Sequence, residues 1–212
     1  MKKIIIMAPE GAEEMEIAPF VEIPGWTKIV PDVEKVDVDI VGWEQTITLG
    51  HGLKIIPDLM IEDVNIEVYD GLCIPGGWPH TRYFKQINQN RCLEMIKTMY
   101  SRRKIIATLC FGIFALGEAG LLNNIKATTY VGDDIELSKV AGDKLKSYGA
   151  DYIEKSIVIN ERIISNIGPA VASEVAFRMI EMLTSESDVK KIRDMMLYPH
   201  IRKDDLKWTG QA

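Results

Sequence analysis

The chain has 212 residues and a mass of 23.9 kDa, with 47% hydrophobic and 26% charged residues, the balance of a folded domain with a buried core. Its 25 basic and 31 acidic residues leave a formal charge of −6, which argues against a nucleic-acid or anionic-membrane partner. Three cysteines in this length are no disulfide framework and read as reduced thiols of a cytoplasmic protein.

Met1-Lys2-Lys3 is a basic opening, but the apolar run after it stops at Pro9-Glu10-Gly11, too short for a secretory signal. No stretch approaches the roughly 18 apolar residues of a membrane span. Residues 3–8 read instead as a strand buried on both faces. Residues 13–23 then carry helical spacing through Met15, Ala18 and Val21, stopped by Pro24-Gly25. Residues 36–43 alternate apolar and acidic side chains, as a strand with one solvated face does. Residues 46–49 and 53–56 flank Gly50-His51-Gly52 and read as a hairpin. A strand over 69–74 closes at Pro75-Gly76-Gly77, and a helix spans 89–101. The run 104–109 is a central strand that leads into Cys110 and a helix over 111–119.

Beyond Gly120 the spacing predicts a strand over 128–131, a helix over 135–148, and a hairpin from 157–159 to 163–165 turning at Asn160-Glu161. The helix over 169–183 starts with Pro169, pairs Glu174 with Arg178 on its outer side, and turns Val171, Val175, Met179 and Met182 inward. Ser187 or Asp188 caps a last helix holding Val189, Ile192 and Met196. No linker or repeat divides the chain. Strands alternating with helices imply an α/β domain with a mainly parallel sheet, whose ligands sit beyond the carboxyl ends of the strands. That rule selects residues 9–16, 75–80 and 110–112.

Cys110 stands where a strand meets a helix, an elbow that holds a side chain out above the sheet. The helix start would favour its thiolate, and Gly112 allows close packing where the chain reverses. A small buried apolar plug is the competing reading. Glu13 and Glu16 lie about 60° apart at helical spacing, so one of them looks toward the sheet end. A carboxyl buried there would stay protonated and could donate to a thiolate. Pro75-Gly76-Gly77 is either a plain turn or a loop whose second glycine exposes an amide, which with that of Phe111 would form an oxyanion hole. His51 and His80 lie in turns near the same end, and His200 lies in the tail. Cys73 and Cys92 read as structural. No metal-ligand spacing and no nucleotide-binding glycine loop is present, so neither a metal nor another cofactor is expected. Trp26 and Trp78 are candidates for an interface.

Gly11-Ala12-Glu13-Glu14-Met15-Glu16, Ile74-Pro75-Gly76-Gly77, Ala107-Thr108-Leu109-Cys110 and Asn166-Ile167-Gly168-Pro169 together resemble the ThiJ/PfpI family, the DJ-one superfamily, over residues 2 to 184. The resemblance implies a single-domain, doubly wound, flavodoxin-like sheet with helices on both faces, related to glutamine amidotransferase domains and usually homodimeric. Residues 1–184 would form that domain, with 185–212 a helix and tail packed on it or at a dimer interface. The resemblance makes Cys110 a low-pKa nucleophile, Glu16 its protonated partner and Gly77 the donor of an amide near the sulfur. It places His51 where relatives carry an arginine or histidine and Tyr130 at a family site position. Gly76 and His80, from their place in turns at the same end, are further candidates to line the site.

Two departures bear on activity. Phe111 follows the cysteine where the family's proteases have histidine. Tyr130 follows Lys126-Ala127-Thr128-Thr129 where the glyoxalase-type branch has one, and tyrosine is no base near neutral pH. Peptide hydrolysis is therefore not expected. The leading expectation is a small-molecule enzyme that attacks reactive carbonyls through Cys110, of glyoxalase or deglycase type. Its rivals are a redox-sensing or regulatory protein using the same oxidisable cysteine, and a hydratase or amidase. The expected partner is a small substrate or oxidant, with no nucleic acid and no membrane.

Overall fold

Ile4, Ile5, Ile6 and Met7 are fully buried, as a strand covered on both faces must be. They lie in β1 (Lys2–Met7), well inside the main sheet. The structure, a computed structural model, describes residues 1–133 and 135–198. After β1 come α1 (Glu14–Trp26), β2 (Val36–Gly42), the hairpin β3 (Ile47–Thr48) and β4 (Lys54–Ile55), β5 (Leu59–Met60) and β6 (Gly71–Ile74). The middle of the chain forms α2 (Tyr83–Ile87), α3 (Asn90–Ser101), β7 (Ile105–Thr108) and α4 (Phe114–Glu118). Next are β8 (Lys126–Ala127), α5 (Glu136–Ser147), β9 (Asp151–Tyr152), β10 (Ile157–Asn160) and β11 (Ile163–Asn166). The helices α6 (Ala172–Leu183) and α7 (Glu186–Met195) end the described chain.

The main sheet has seven strands in the order β10-β11-β7-β6-β1-β2-β5, parallel throughout except for the antiparallel edge strand β10. From β1 the chain first moves to one side, to β2, and later returns to β6 on the other. Right-handed crossovers then put the helices of the two halves on opposite faces, and this doubly wound, flavodoxin-like reversal opens a crevice at the tips of β1 and β6. α1 packs on α6, and α7 on α6; α3 packs on α4. One hydrophobic cluster runs through all these layers.

The strand and helix order follows the sequence expectation closely, with local corrections. α1 continues through Pro24 to Trp26 instead of stopping there. The Thr27 hydroxyl explains this: it donates to the Pro24 carbonyl at 2.6 Å and accepts from Val36 N at 3.0 Å, closing the last turn. Residues 128–131 are not a strand. Thr128 N donates to the Ser165 hydroxyl at 3.0 Å and the Thr129 hydroxyl to Cys110 O at 3.0 Å, so side-chain bonds replace a ladder, and pairing is confined to β8. The helices expected from 111 and 169 both open with a 3₁₀ turn, Cys110–Ile113 and Pro169–Val171.

Glu174 does not pair with Arg178. Arg193 of α7 grips both oxygens of Glu174, at 3.2 and 2.5 Å, and Arg178 turns to Glu181. A guanidinium fork makes two parallel bonds to a carboxylate, which outdoes a single contact along one helix. The cap of α7 is Ser185, whose hydroxyl accepts from Asp188 N at 3.1 Å, and not Ser187 or Asp188. Residues 199–212, including His200 and most of the predicted tail, lie outside the described residues. Among the described residues no helix is long and apolar enough to cross a membrane.

Candidate active site

The tips of β1, β6, β7 and β11 converge on one cavity of 260 Å³ lined by Glu13, Glu16, His51, Gly77, Trp78, Pro79, Cys110, Phe111, Tyr130 and Pro169. Six of the sequence-selected residues are therefore brought together: Cys110, Glu16, Gly77, Phe111, His51 and Tyr130. Gly76 lies directly behind them. His80 does not line the cavity; it is exposed, with its ring 5.9 Å from that of Trp78.

Cys110 leaves β7 on a backbone φ of 51°, the left-handed region that a side chain enters at a cost. Neighbouring bonds hold it there. Its amide donates to Asn166 Oδ1 at 3.0 Å, and its carbonyl accepts from the Thr129 hydroxyl at 3.0 Å. Asn166 Oδ1 also accepts from Gly168 N at 3.1 Å, so one side chain at the tip of β11 ties two loops together. Gly112 lets the turn sit against β6: a Cβ there would fall 2.3 Å from Ile74 O. Asn166 and Thr129 were not selected from the sequence as site residues, although the Asn-Ile-Gly-Pro motif at a strand tip was the available signal.

Of the two candidate glutamates, Glu16 is the one turned inward. It is 0% exposed, its Oε2 accepts from Gly76 N at 2.6 Å, and its Oε1 has no protein partner. Burial raises its pKa to about 8, against the pull of the Gly76 amide and with a push from the Glu13 charge, so the carboxyl is mainly protonated at neutral pH. Gly76 separates Glu16 from the cysteine. A Cβ on Gly76 would lie 2.6 Å from Cys110 Cβ and 3.0 Å from Glu16 Oε2, so only glycine fits.

The thiol departs from the sequence expectation. Burial pushes the Cys110 thiol up, the Glu16 charge would push it further, and the Phe111 amide that bonds the sulfur draws it down. The expected helix dipole is weak here because a 3₁₀ turn and the five-residue α4 follow the cysteine. Cys73 and Cys92 are fully buried in the core, in keeping with a structural role.

His51 sits on the β3–β4 turn, with its ring edge-on to Trp78 at 5.3 Å. Its Nδ1 lies 3.0 Å from Glu14 Oε2 and 3.7 Å from Glu13 Oε1, and its amide donates to Glu14 Oε1 at 2.7 Å. The hydrogen bond to Glu14 and the charge of Glu13 raise the His51 pKa. Burial works to raise Glu14, but the two His51 bonds hold it below the usual range. Glu13, Glu14 and His51 offer ligand atoms within 4.8 Å of one another, a cluster able to hold a cation that sequence spacing did not signal. The Trp78 indole donates to Glu13 Oε2 at 3.1 Å, and Tyr130 stands edge-on to Phe111 at 5.7 Å.

A family model described as the DJ-1/PfpI family matches residues 2–182. Among curated proteins, "Protein DJ-1 homolog A" of Arabidopsis thaliana is 27% identical over 201 residues, covering 92% of this chain and 46% of its own. The chain therefore spans less than half the length of that relative. "Deglycase PfpI" of Pyrococcus furiosus is 28% identical over 134 residues (63% of this chain, 74% of its own). "Glutathione-independent glyoxalase DJR-1.2" of Caenorhabditis elegans is 26% identical over 189 residues (85% and 87%). Among solved structures, Drosophila melanogaster DJ-1beta superposes with a TM-score of 0.78 at 19% identity, covering 92% of this chain and 97% of its own. At that identity the likeness speaks for the fold alone.

Proposed function

Because this chain belongs to the DJ-1/PfpI family, we propose that it is a cysteine-dependent enzyme acting on small reactive carbonyls, of glyoxalase or deglycase type. One observation carries the reading: a cysteine held at φ 51° at a strand tip, one glycine away from a buried glutamic acid with a free oxygen. Relatives named deglycase and glyoxalase support it.

With a 2-oxoaldehyde the steps balance without an external oxidant. The Cys110 sulfur forms a bond to the aldehyde carbon as the carbonyl π pair moves to oxygen. The thiol proton passes through Glu16 to that oxygen, giving a hemithioacetal. The amides of Gly77 and Phe111 would steady the negative charge on the oxygen. In its ionised form, accessible at a pKa of about 8, Glu16 then takes the proton from the former aldehyde carbon and returns it to the neighbouring carbon, while the hydroxyl proton moves to the neighbouring oxygen, converting the adduct into a thioester. Water cleaves the thioester, releasing a 2-hydroxy acid and the thiol. A carboxyl with a pKa of about 8 exchanges protons in both directions near neutrality, as this shuttle requires.

Purified protein should convert methylglyoxal to lactate, and Cys110→Ala should abolish the conversion. Absence of turnover by the wild-type protein rules the reading out. A second reading, a redox sensor, is favoured by one feature: His51, the histidine on the cavity wall, bonds Glu14 and not the sulfur. Mild peroxide followed by intact mass separates the two, because a sensor gains oxygen at Cys110 selectively. Cytoplasmic location and assembly as a homodimer belong to the same proposal. Exposed Met15 and Val21 on α1, which line one groove with exposed Leu53, support the dimer, and sedimentation tests it.

A further inference from the structure

The cavity in front of Cys110 is small, aromatic and acidic. At 260 Å³ it falls just below the roughly 300 Å³ at which drug-sized pockets begin. Trp78, Phe111 and Tyr130 line it, and aromatic side chains attract cations. No lysine or arginine lines it among the described residues. The only basic side chain on its wall is His51, which is engaged with Glu14 at 3.0 Å. Glu13 and Glu14 set two carboxylates against that one imidazole, so this rim stays net negative whether His51 is protonated or neutral. Glu13 itself is fixed at the cavity wall by the Trp78 indole at 3.1 Å.

Resting on the reading of Cys110 as a nucleophile, we propose that Glu13 and the aromatic wall make this cavity select carbonyl substrates whose remaining part is cationic, an ammonium or guanidinium group, and exclude those bearing a carboxylate. A charge a few ångströms from Glu13 in a cavity shielded by rings is screened less than at an open surface. An anionic substrate would also have to approach without a basic partner. Glu13 is a specificity-determining residue in this scheme, whereas Glu16 handles protons.

The test reads access to Cys110 independently of turnover. Three methanethiosulfonates with the same reactive group are compared on the full chain: 2-trimethylammonioethyl (cationic), methyl (neutral) and 2-sulfonatoethyl (anionic). Rates are followed by intact mass and assigned to Cys110 by peptide mapping, each divided by the reagent's rate with a free thiol. The cationic reagent should react at least tenfold faster than the anionic one at low salt. The ratio should shrink in high salt and fall severalfold in Glu13→Gln; any change in the thiol's own reactivity is read by the neutral reagent and cancels from the ratio. Equal normalised rates for cation and anion, or a ratio unchanged in Glu13→Gln, overturn the charge selection and leave the reactive cysteine standing. Failure of all three reagents to label Cys110 overturns both, since the sulfur would then not be open to this cavity.

Discussion

Gly76 and Cys110 approach so closely that a single methyl on the glycine would lie 2.6 Å from the cysteine's Cβ. Leu109 O, at 3.0 Å from the same point, closes the way out, because it is backbone and cannot rotate aside. Gly76→Ala should therefore push β6 and β7 apart at their tips, destabilising the fold by about 1 to 3 kcal/mol. It should also cut Cys110 alkylation more than the loss of stability explains. Urea unfolding and alkylation rates measured on the same preparation check both.

Asn166 should prove a positioning residue. Asn166→Leu keeps the volume but leaves the amides of Cys110 and Gly168 without their shared acceptor, which should cost about 1 to 3 kcal/mol. The turn would then relax away from φ 51°, and methylglyoxal turnover should fall mainly in kcat. A variant with full kcat sinks this account of the elbow.

Glu16 gives stability a pH dependence. Its carboxyl moves from 4.5 in a free chain to about 8 when folded, so between those values the native state holds a proton that the unfolded chain has lost. Stability must therefore fall as pH rises from about 4.5 to about 8, and level off above. Glu16→Gln keeps the hydrogen bond from Gly76 and cannot ionise, so its denaturation midpoint should gain on the wild type across that range. Parallel pH profiles for the two proteins contradict the assignment.

The strain at Cys110 is measurable by comparing two variants. Cys110→Gly adopts φ 51° freely, whereas Cys110→Ala keeps the steric penalty of a Cβ, so glycine should be the more stable by about 1 kcal/mol. Most residues show the opposite order, since glycine also adds freedom to the unfolded chain. An alanine variant as stable as the glycine one would argue for a relaxed turn.

Legibility in the sequence followed the strength of the local signal. β1, β6 and β7 were readable because strands buried on both faces are continuous apolar runs, and both hairpins because Gly50-His51-Gly52 and Asn160-Glu161 mark their turns. β5 and β9, two residues each, and the five-residue α2 are too short to show any period. The choice of Glu16 over Glu13 could not be made from spacing, since it depends on which side chain the β6 loop covers. Glu14–His51 and Glu174–Arg193 were likewise invisible, because each joins elements that only the tertiary fold brings together. The pKa of Cys110 went the other way for a similar reason: a dipole can be read from a strand-helix junction, but burial of the sulfur cannot.

The bond from the Cys110 amide to Asn166 spans 56 positions of the chain. During synthesis Cys110 is made before its acceptor, and Glu16 before Gly76. The proposed nucleophile thus lacks the acceptor of its backbone amide in any chain that ends before β11. The turn that carries Cys110 is therefore tied down only when the last parallel strand is in place.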